Sequence, residues 1–178
     1  MILGLDVSTS ITGATILSMD GEMLYNEAWD TRNKNRYPTL YKKADIILQR
    51  LTDLKEQYDI TSVFIEQSLQ SFRSGFSSAQ TLSTLSRFNG IVSWVCFRLF
   101  GFEPVLLAAA SARKMVGIKK EKGQNSKEAS FQFVVDSQPD FVISYTKMGN
   151  LKPGVTDRSD SWVIAKAGLI YCRNLNLS

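Results

Sequence analysis

The sequence contains no histidine. That absence excludes histidine-based general acid–base catalysis, serine triads built on imidazole, and histidine-ligated zinc. Any catalysis must rest on carboxylates, lysines, hydroxyls or metal ions. Cysteine is nearly as scarce. Cys96 and Cys172 are the only two, far apart and outside any Cys-x-x-Cys motif, which leads us to expect reduced thiols and a cytoplasmic protein. The opening residues lack the basic start and apolar core of a secretory signal. No apolar stretch reaches the roughly 18–20 clean residues of a membrane span, and the nearest, residues 91–102, contains Arg98. There is no low-complexity tract and no internal repeat.

What is present fits an ordinary globular protein. The 178 residues, 44% of them hydrophobic, suffice for one compact domain over residues 1–178 with a core that needs no disulfide. A formal charge of +4 admits an anionic partner without demanding one.

Periodicity predicts an α/β chain. Residues 2–7 read as a strand buried on both faces, 12–19 as a second strand, and 22–29 as a third, joined through the Asp20-Gly21 turn signal. Over residues 38–58, Leu40, Ala44, Ile47, Leu48, Leu51, Leu54 and Tyr58 fall at helical spacing, with Lys42, Asp45, Gln49, Asp53 and Glu56 opposite. Residues 61–66 form a short strand, and the helix before it favours a right-handed crossover that lays this strand parallel to a neighbour. A second helix over 77–100 carries a stripe of Ala79, Leu82, Leu85, Val92, Cys96 and Leu99. Trp94, Phe97 and Phe100 add apolar surface elsewhere, so this helix is either central to the core or part of a subunit interface. A strand over 104–108, helices over 126–135 and 156–175, and a Gly- and Lys-containing connection over 139–155 complete the reading.

Two of these strands carry a carboxylate at their C-terminal end, Asp6 and Glu66. If they are parallel neighbours, both acids emerge side by side at the carboxyl edge of the sheet, where open α/β sheets place ligands. The final helix begins "VTDRSDSWVIAKAG": Thr156 fits an N-cap, and Asp157 and Asp160 share one face of the first turn. Each acid alone also fits a turn cap or a helix-dipole role. Together they pose an electrostatic problem. Two unit charges about 4 Å apart repel by about 4 kcal/mol at an effective dielectric of 20, and a helix N-terminus offsets only about 0.3–1 kcal/mol. Cations are required. An all-oxygen donor set without imidazole or thiolate suits Mg²⁺, with Mn²⁺ as a substitute, and a pair of such ions can cleave a phosphodiester.

The sequence resembles the RuvC-type Holliday junction resolvases of the ribonuclease-H-like superfamily. The resemblance is carried by "ILGLDVSTSITG", "VFIEQ", the basic "RKMVGIKKEKGQNSKEA" and "DRSDSWVIAKAG", in the family's order over nearly the whole chain. It implies a ribonuclease-H-like mixed five-stranded sheet flanked by helices. Asp6, Glu66, Asp157 and Asp160 would be the metal-binding catalytic residues, with two Mg²⁺ ions per site, in a homodimer that resolves four-way and other branched DNA junctions. Lys114 and Lys127 match positions where the family has lysines that contact DNA phosphates, while Lys119, Lys120 and Lys122 lie in what looks like an insertion. Those lysines would steepen the salt dependence of DNA binding. Where the family has an aromatic three residues after the strand-end glutamate, this chain has Leu69; Phe72 and Phe76 are alternatives for stacking on an unpaired base, or core residues. The longer connection over 144–155, with Lys147 and Lys152, is either a surface loop or a DNA-contacting flap. These departures from the family pattern point towards a phage-encoded member.

Other classes compete. "GLDVSTSITG" also resembles the first phosphate loop of actin-like ATPases and sugar kinases, which need two such domains. A non-catalytic nucleic-acid-binding module and a broader nuclease acting on RNA–DNA hybrids or structured RNA complete the alternatives.

Overall fold

In a computed structural model the chain is described over residues 1–68 and 79–175. Five strands, β1 (Ile2–Asp6), β2 (Ile11–Leu17), β3 (Met23–Asp30), β4 (Ser62–Glu66) and β5 (Val105–Leu107), form one mixed sheet in the order β3-β2-β1-β4-β5. The first three are an antiparallel meander, whereas β1–β4 and β4–β5 pair in parallel. Helices α1 (Leu40–Gln57), α2 (Ala79–Phe100), α3 (Ala109–Val116), α4 (Ser126–Ser137) and α5 (Val155–Leu175) flank it.

The apolar strands β1 and β4 are covered on both faces, which explains why they read as continuous hydrophobic runs. Leu3, Leu5, Val63 and Ile65 point to α1 and α2, meeting Ile47, Leu51, Phe88 and Val92. Ile2 and Phe64 point the other way, into a second core built with Trp162, Ile164, Val134 and Leu107. Helix α1 starts at Thr39, whose hydroxyl accepts from the Lys42 amide as an N-cap, and buries Ala44, Ile47, Leu51 and Leu54 as its spacing predicts.

Three expectations are corrected. The stripe anticipated on the second helix is displaced: Phe88, Asn89, Val92, Val95 and Cys96 are buried while Ala79 is exposed. The segment after β5, where no element is expected before residue 126, contains α3, which stops at Gly117 in the left-handed conformation with its N–H on the carbonyls of Arg113 and Lys114. Thr156 does not cap α5. It lies inside the helix, because Gly154 at φ +94° turns the chain and already accepts the Arg158 amide.

The connection before α5 holds a small hairpin. Tyr145 bridges Leu151, and the Gly149 amide closes a turn on the Thr146 carbonyl at 3.0 Å. Its foot packs at Gly154 against Ala28 of β3. Both cysteines are free. Among the described residues no helix is long and apolar enough to cross a membrane.

Candidate active site

The site is built by register. Leu5 of β1 pairs with Ile65 of β4, so Asp6 and Glu66 are the next residues of adjacent parallel strands, whose spacing is about 4.8 Å. The hydroxyls after Asp6 serve the turn: Ser8 Oγ donates to the Ile11 carbonyl at 2.7 Å and accepts the amides of Ser10 and Ile11. Asn89, buried on α2, donates to the Glu66 carbonyl at 2.9 Å and pins the end of β4.

The other two acids arrive on α5, which crosses the sheet in unusually close contact. A Cβ on Gly13 would stand 1.9 Å from the Asp157 carbonyl oxygen, and one on Gly4 would stand 2.3 Å from the Ala165 nitrogen. Only the absence of side chains on β1 and β2 lets α5 settle there. A polar network then fixes its first turns. Asn26 Nδ2 donates to Thr15 Oγ1 (2.7 Å) and the Arg158 carbonyl (3.0 Å), Arg158 Nε donates to Asn26 Oδ1 (2.8 Å), and Thr15 and Ser161 share a 2.8 Å hydroxyl contact. Satisfied polar groups at such depth give a unique seating rather than a large net stabilisation.

The four acids sense one another. Burial, then the charges of Glu66, Asp160 and Asp157, hold Asp6 well above the usual carboxylate range. Burial, followed by Asp160, pushes Glu66 up to about 7. Asp160 and Asp157 are also raised, chiefly by burial. One cation already answers this charge: Lys127 Nζ stands 3.7 Å from Asp160 Oδ2. Burial works to depress its pKa, but the surrounding carboxylates prevail and the net shift is upward. Arg113 on α3 also acts on Glu66 and Asp160.

Among the described residues, no three acidic side chains already stand in the arrangement of a metal-ligand group. The donor chemistry nevertheless fits a hard divalent cation: all ligand atoms are carboxylate oxygens, crowded, partly buried and short of positive charge.

Of the basic residues singled out in sequence, Lys127 reaches the acids. Lys114, Lys119 and Lys120 line, with Arg113 and Ser126, an open cleft of ≈ 440 Å³ between α3 and the start of α4. Lys122 is exposed in the turn that follows, near the Glu121–Gln124 hydrogen bond. Phe72 and Phe76, like Leu69, lie outside the described residues. Sequence reasoning missed Arg113, Asn89 and the Asn26–Arg158 network. The "AASARKMVG" pattern, a short amphipathic turn ending in glycine, was a usable signal for Arg113; no local signal marks the others.

The raised acids make a stability prediction for the metal-free protein. Glu66 holds its proton to about pH 7 when folded, against an ordinary value of 4.5. The folded state therefore binds more protons over that window, and the associated stability, present below about pH 4.5, is lost as pH rises through 7. In chelator, Tm is expected to fall between pH 5 and 8, and Glu66→Gln should flatten the decline and stabilise the protein at pH 8 by on the order of 1–3 kcal/mol. Equal slopes for the two proteins would contradict this electrostatic account.

The mixed β3-β2-β1-β4-β5 sheet, with the first turns of α5 lying across it, is a ribonuclease-H-like fold. In its arrangement it is similar to solved RuvC structures. The solved structure of Thermus thermophilus RuvC in complex with a Holliday junction substrate superposes with a TM-score of 0.67 at 13% identity, covering 97% of this chain and 94% of that one. Thermus thermophilus RuvC gives 0.65 at 16% identity, with 97% and 95% covered. The yeast mitochondrial Holliday junction resolvase Ydc2 gives 0.63 at 15%, with 99% and 80% covered. No family model and no curated protein matches the sequence.

Proposed function

We propose that this protein is a Mg²⁺-dependent, structure-selective endodeoxyribonuclease that resolves four-way and other branched DNA junctions as a homodimer. The observation that carries this reading is the convergence of Asp6, Glu66, Asp157 and Asp160 at one sheet edge, where burial and then the neighbouring carboxylates hold Asp6 and Glu66 above their ordinary range, on a fold shared with junction resolvases. Asp6 and Glu66 from the strands and Asp157 and Asp160 from α5 would hold two Mg²⁺ ions, or Mn²⁺ in their place. Such a pair activates a water on one side of a phosphodiester and stabilises the leaving oxygen on the other. Lys127 offsets acidic charge in the free protein and would meet the scissile phosphate. Lys114, Lys119, Lys120 and Lys122 contribute phosphate contacts without base specificity.

The test is cleavage of an end-labelled four-way junction in Mg²⁺, compared with linear duplex and an RNA–DNA hybrid of the same sequence. Paired nicks in opposing strands of the junction, abolished by chelator, are expected. Equal cutting of the hybrid would move the assignment to a broader nuclease, and junction binding without cutting to an inert module.

Trp94 and Phe97, 62% and 43% exposed on α2, support assembly through that helix, since a large aromatic left in water forgoes about 1.5–3 kcal/mol of burial. Trp94→Glu should convert a dimer to a monomer in light scattering at micromolar concentration and uncouple the paired nicks. A wild-type protein that remains monomeric with and without junction DNA would dismiss the dimer.

A further inference from the structure

We infer that residues 31–39, the loop from β3 to α1, form a second docking surface for the DNA backbone, on the opposite side of the acids from the lysines of α3 and α4; this rests on the nuclease reading above.

The sheet order establishes the placement. β3 and β5 are the two edges, with β1 and β4 between them. The α3–α4 cations follow β5, whereas the loop follows β3. Strand β3 runs parallel to β1 through two antiparallel pairings, so it finishes at the same edge as Asp6. Asp6 pairs with Gly13, and Asp30 pairs with Ile11, so the loop leaves the sheet two residues above the level of Asp6 and two strands, about 10 Å, to its side. That offset matches the rise of about three nucleotides of a single strand. The charge of Asp157 acts on Arg32, an independent sign that the loop neighbours the site.

The loop is cationic and well defined. "TRNKNRYPT" carries Arg32, Lys34 and Arg36 and no acid. Asn33 Oδ1 accepts the amides of Asn35 and Arg36, and the Tyr37 amide donates to the Asn33 carbonyl, giving an Asx turn that sets the backbone without help from a strand. Arg32 is occupied by Asp30 in a two-pronged ion pair at 2.6 Å. No carboxylate among the described residues forms an ion pair with Lys34 or Arg36, and both are exposed. Arg36 lies over the Tyr37 ring at 5.3 Å, which orders the guanidinium while leaving its edge free to donate. Lys43 donates to the Thr9 carbonyl, in the turn following Asp6, and feels the charge of Lys34. An open concavity of ≈ 520 Å³ lies between Asp30, Arg32, Asn33, Arg36 and Tyr37. Unpaired cations held on an ordered loop above an acidic site suit the phosphates flanking the cleaved bond, which the acids would otherwise repel.

The test uses the full chain, with anisotropy of a labelled four-way junction in chelator across a salt series. Lys34→Ala/Arg36→Ala should weaken binding about tenfold or more at 0.1 M salt and flatten the slope of log affinity against log salt by about 1.8, two phosphate contacts at about 0.9 each. Arg50→Ala/Lys55→Ala removes the same charge from exposed positions in the C-terminal half of α1, turned away along the helix from the loop, and should leave the slope unaltered. Both altered side chains of the first pair are exposed, and equal melting curves will verify folding. Wild-type binding with an unchanged slope in the Lys34/Arg36 variant overturns this inference alone. Equal flattening by both variants also overturns it, reducing the effect to net charge. A wild-type protein that binds neither junction nor duplex at low salt overturns the nuclease reading and this surface with it.

Discussion

Asp6→Asn is expected to lower the rate of junction cleavage by about 10³-fold or more in Mg²⁺ while leaving the protein folded. The substitution preserves shape and hydrogen-bonding capacity and removes one charge at the point where both strands and α5 meet. Each tenfold in rate corresponds to about 1.4 kcal/mol, and losing a bound divalent ion's stabilisation of the reacting phosphate costs several kcal/mol. The same change relieves repulsion, because Asp6 is held far above its ordinary range by burial and by Glu66, Asp160 and Asp157. The variant in chelator at pH 8 should therefore melt at or above the wild-type temperature, and it should still bind the junction. Loss of activity with raised stability separates an electrostatic site from a damaged fold. Undiminished cutting by the variant would refute the assignment of the acids.

The second large effect is geometric. Gly13→Ala places a methyl carbon 1.9 Å from the Asp157 carbonyl oxygen and 2.5 Å from its carbon, and backbone cannot rotate away as a side chain can. The first turn of α5 must lift. Overpacking of this kind costs about 1–3 kcal/mol, or a fall in Tm of about 2–12 °C for a chain of this length. Displacing Asp157 and Asp160 by about 1 Å should cost cleavage a further 10²-fold or so. Gly90→Ala is the internal control: it lies in α2 with nothing within 4 Å of the new Cβ, and should stabilise by about 0.5–1 kcal/mol. A Gly13→Ala protein with wild-type melting and activity would show that α5 is not seated as closely as described.

Much of this candidate site is legible in the sequence. Asp6 and Glu66 each end a short apolar run, an anomaly visible within six residues, and Asp157 and Asp160 open a helix with the spacing of one face. The strands and long helices followed from periodicity because burial imposes it locally. The misreadings also have local causes. Helix α3 is only eight residues long, too short for its pattern to stand out from a basic stretch. Thr156 has the chemistry of an N-cap, but the positive φ of Gly154 starts the helix earlier. Arg113 was passed over for its neighbour Lys114, because which of two adjacent cations faces the acids depends on how α3 is rotated against β4 and α5.

By itself, the sequence determined which acids end the strands and open α5, a candidate donor set without imidazole, and the order of strands and helices that carries them. Tertiary structure alone decided how near the acids come. That distance depends on the register of β1 with β4, on the bare surfaces of Gly4 and Gly13 beneath α5, and on the Asn26–Arg158 network that seats its first turn. It also decided that Lys127 faces Asp160 and that the 31–39 loop rises beside the site. Secondary structure is written in residues a few positions apart, whereas electrostatic coupling is set by separations through space between residues as far apart in the chain as Asp6 and Asp160.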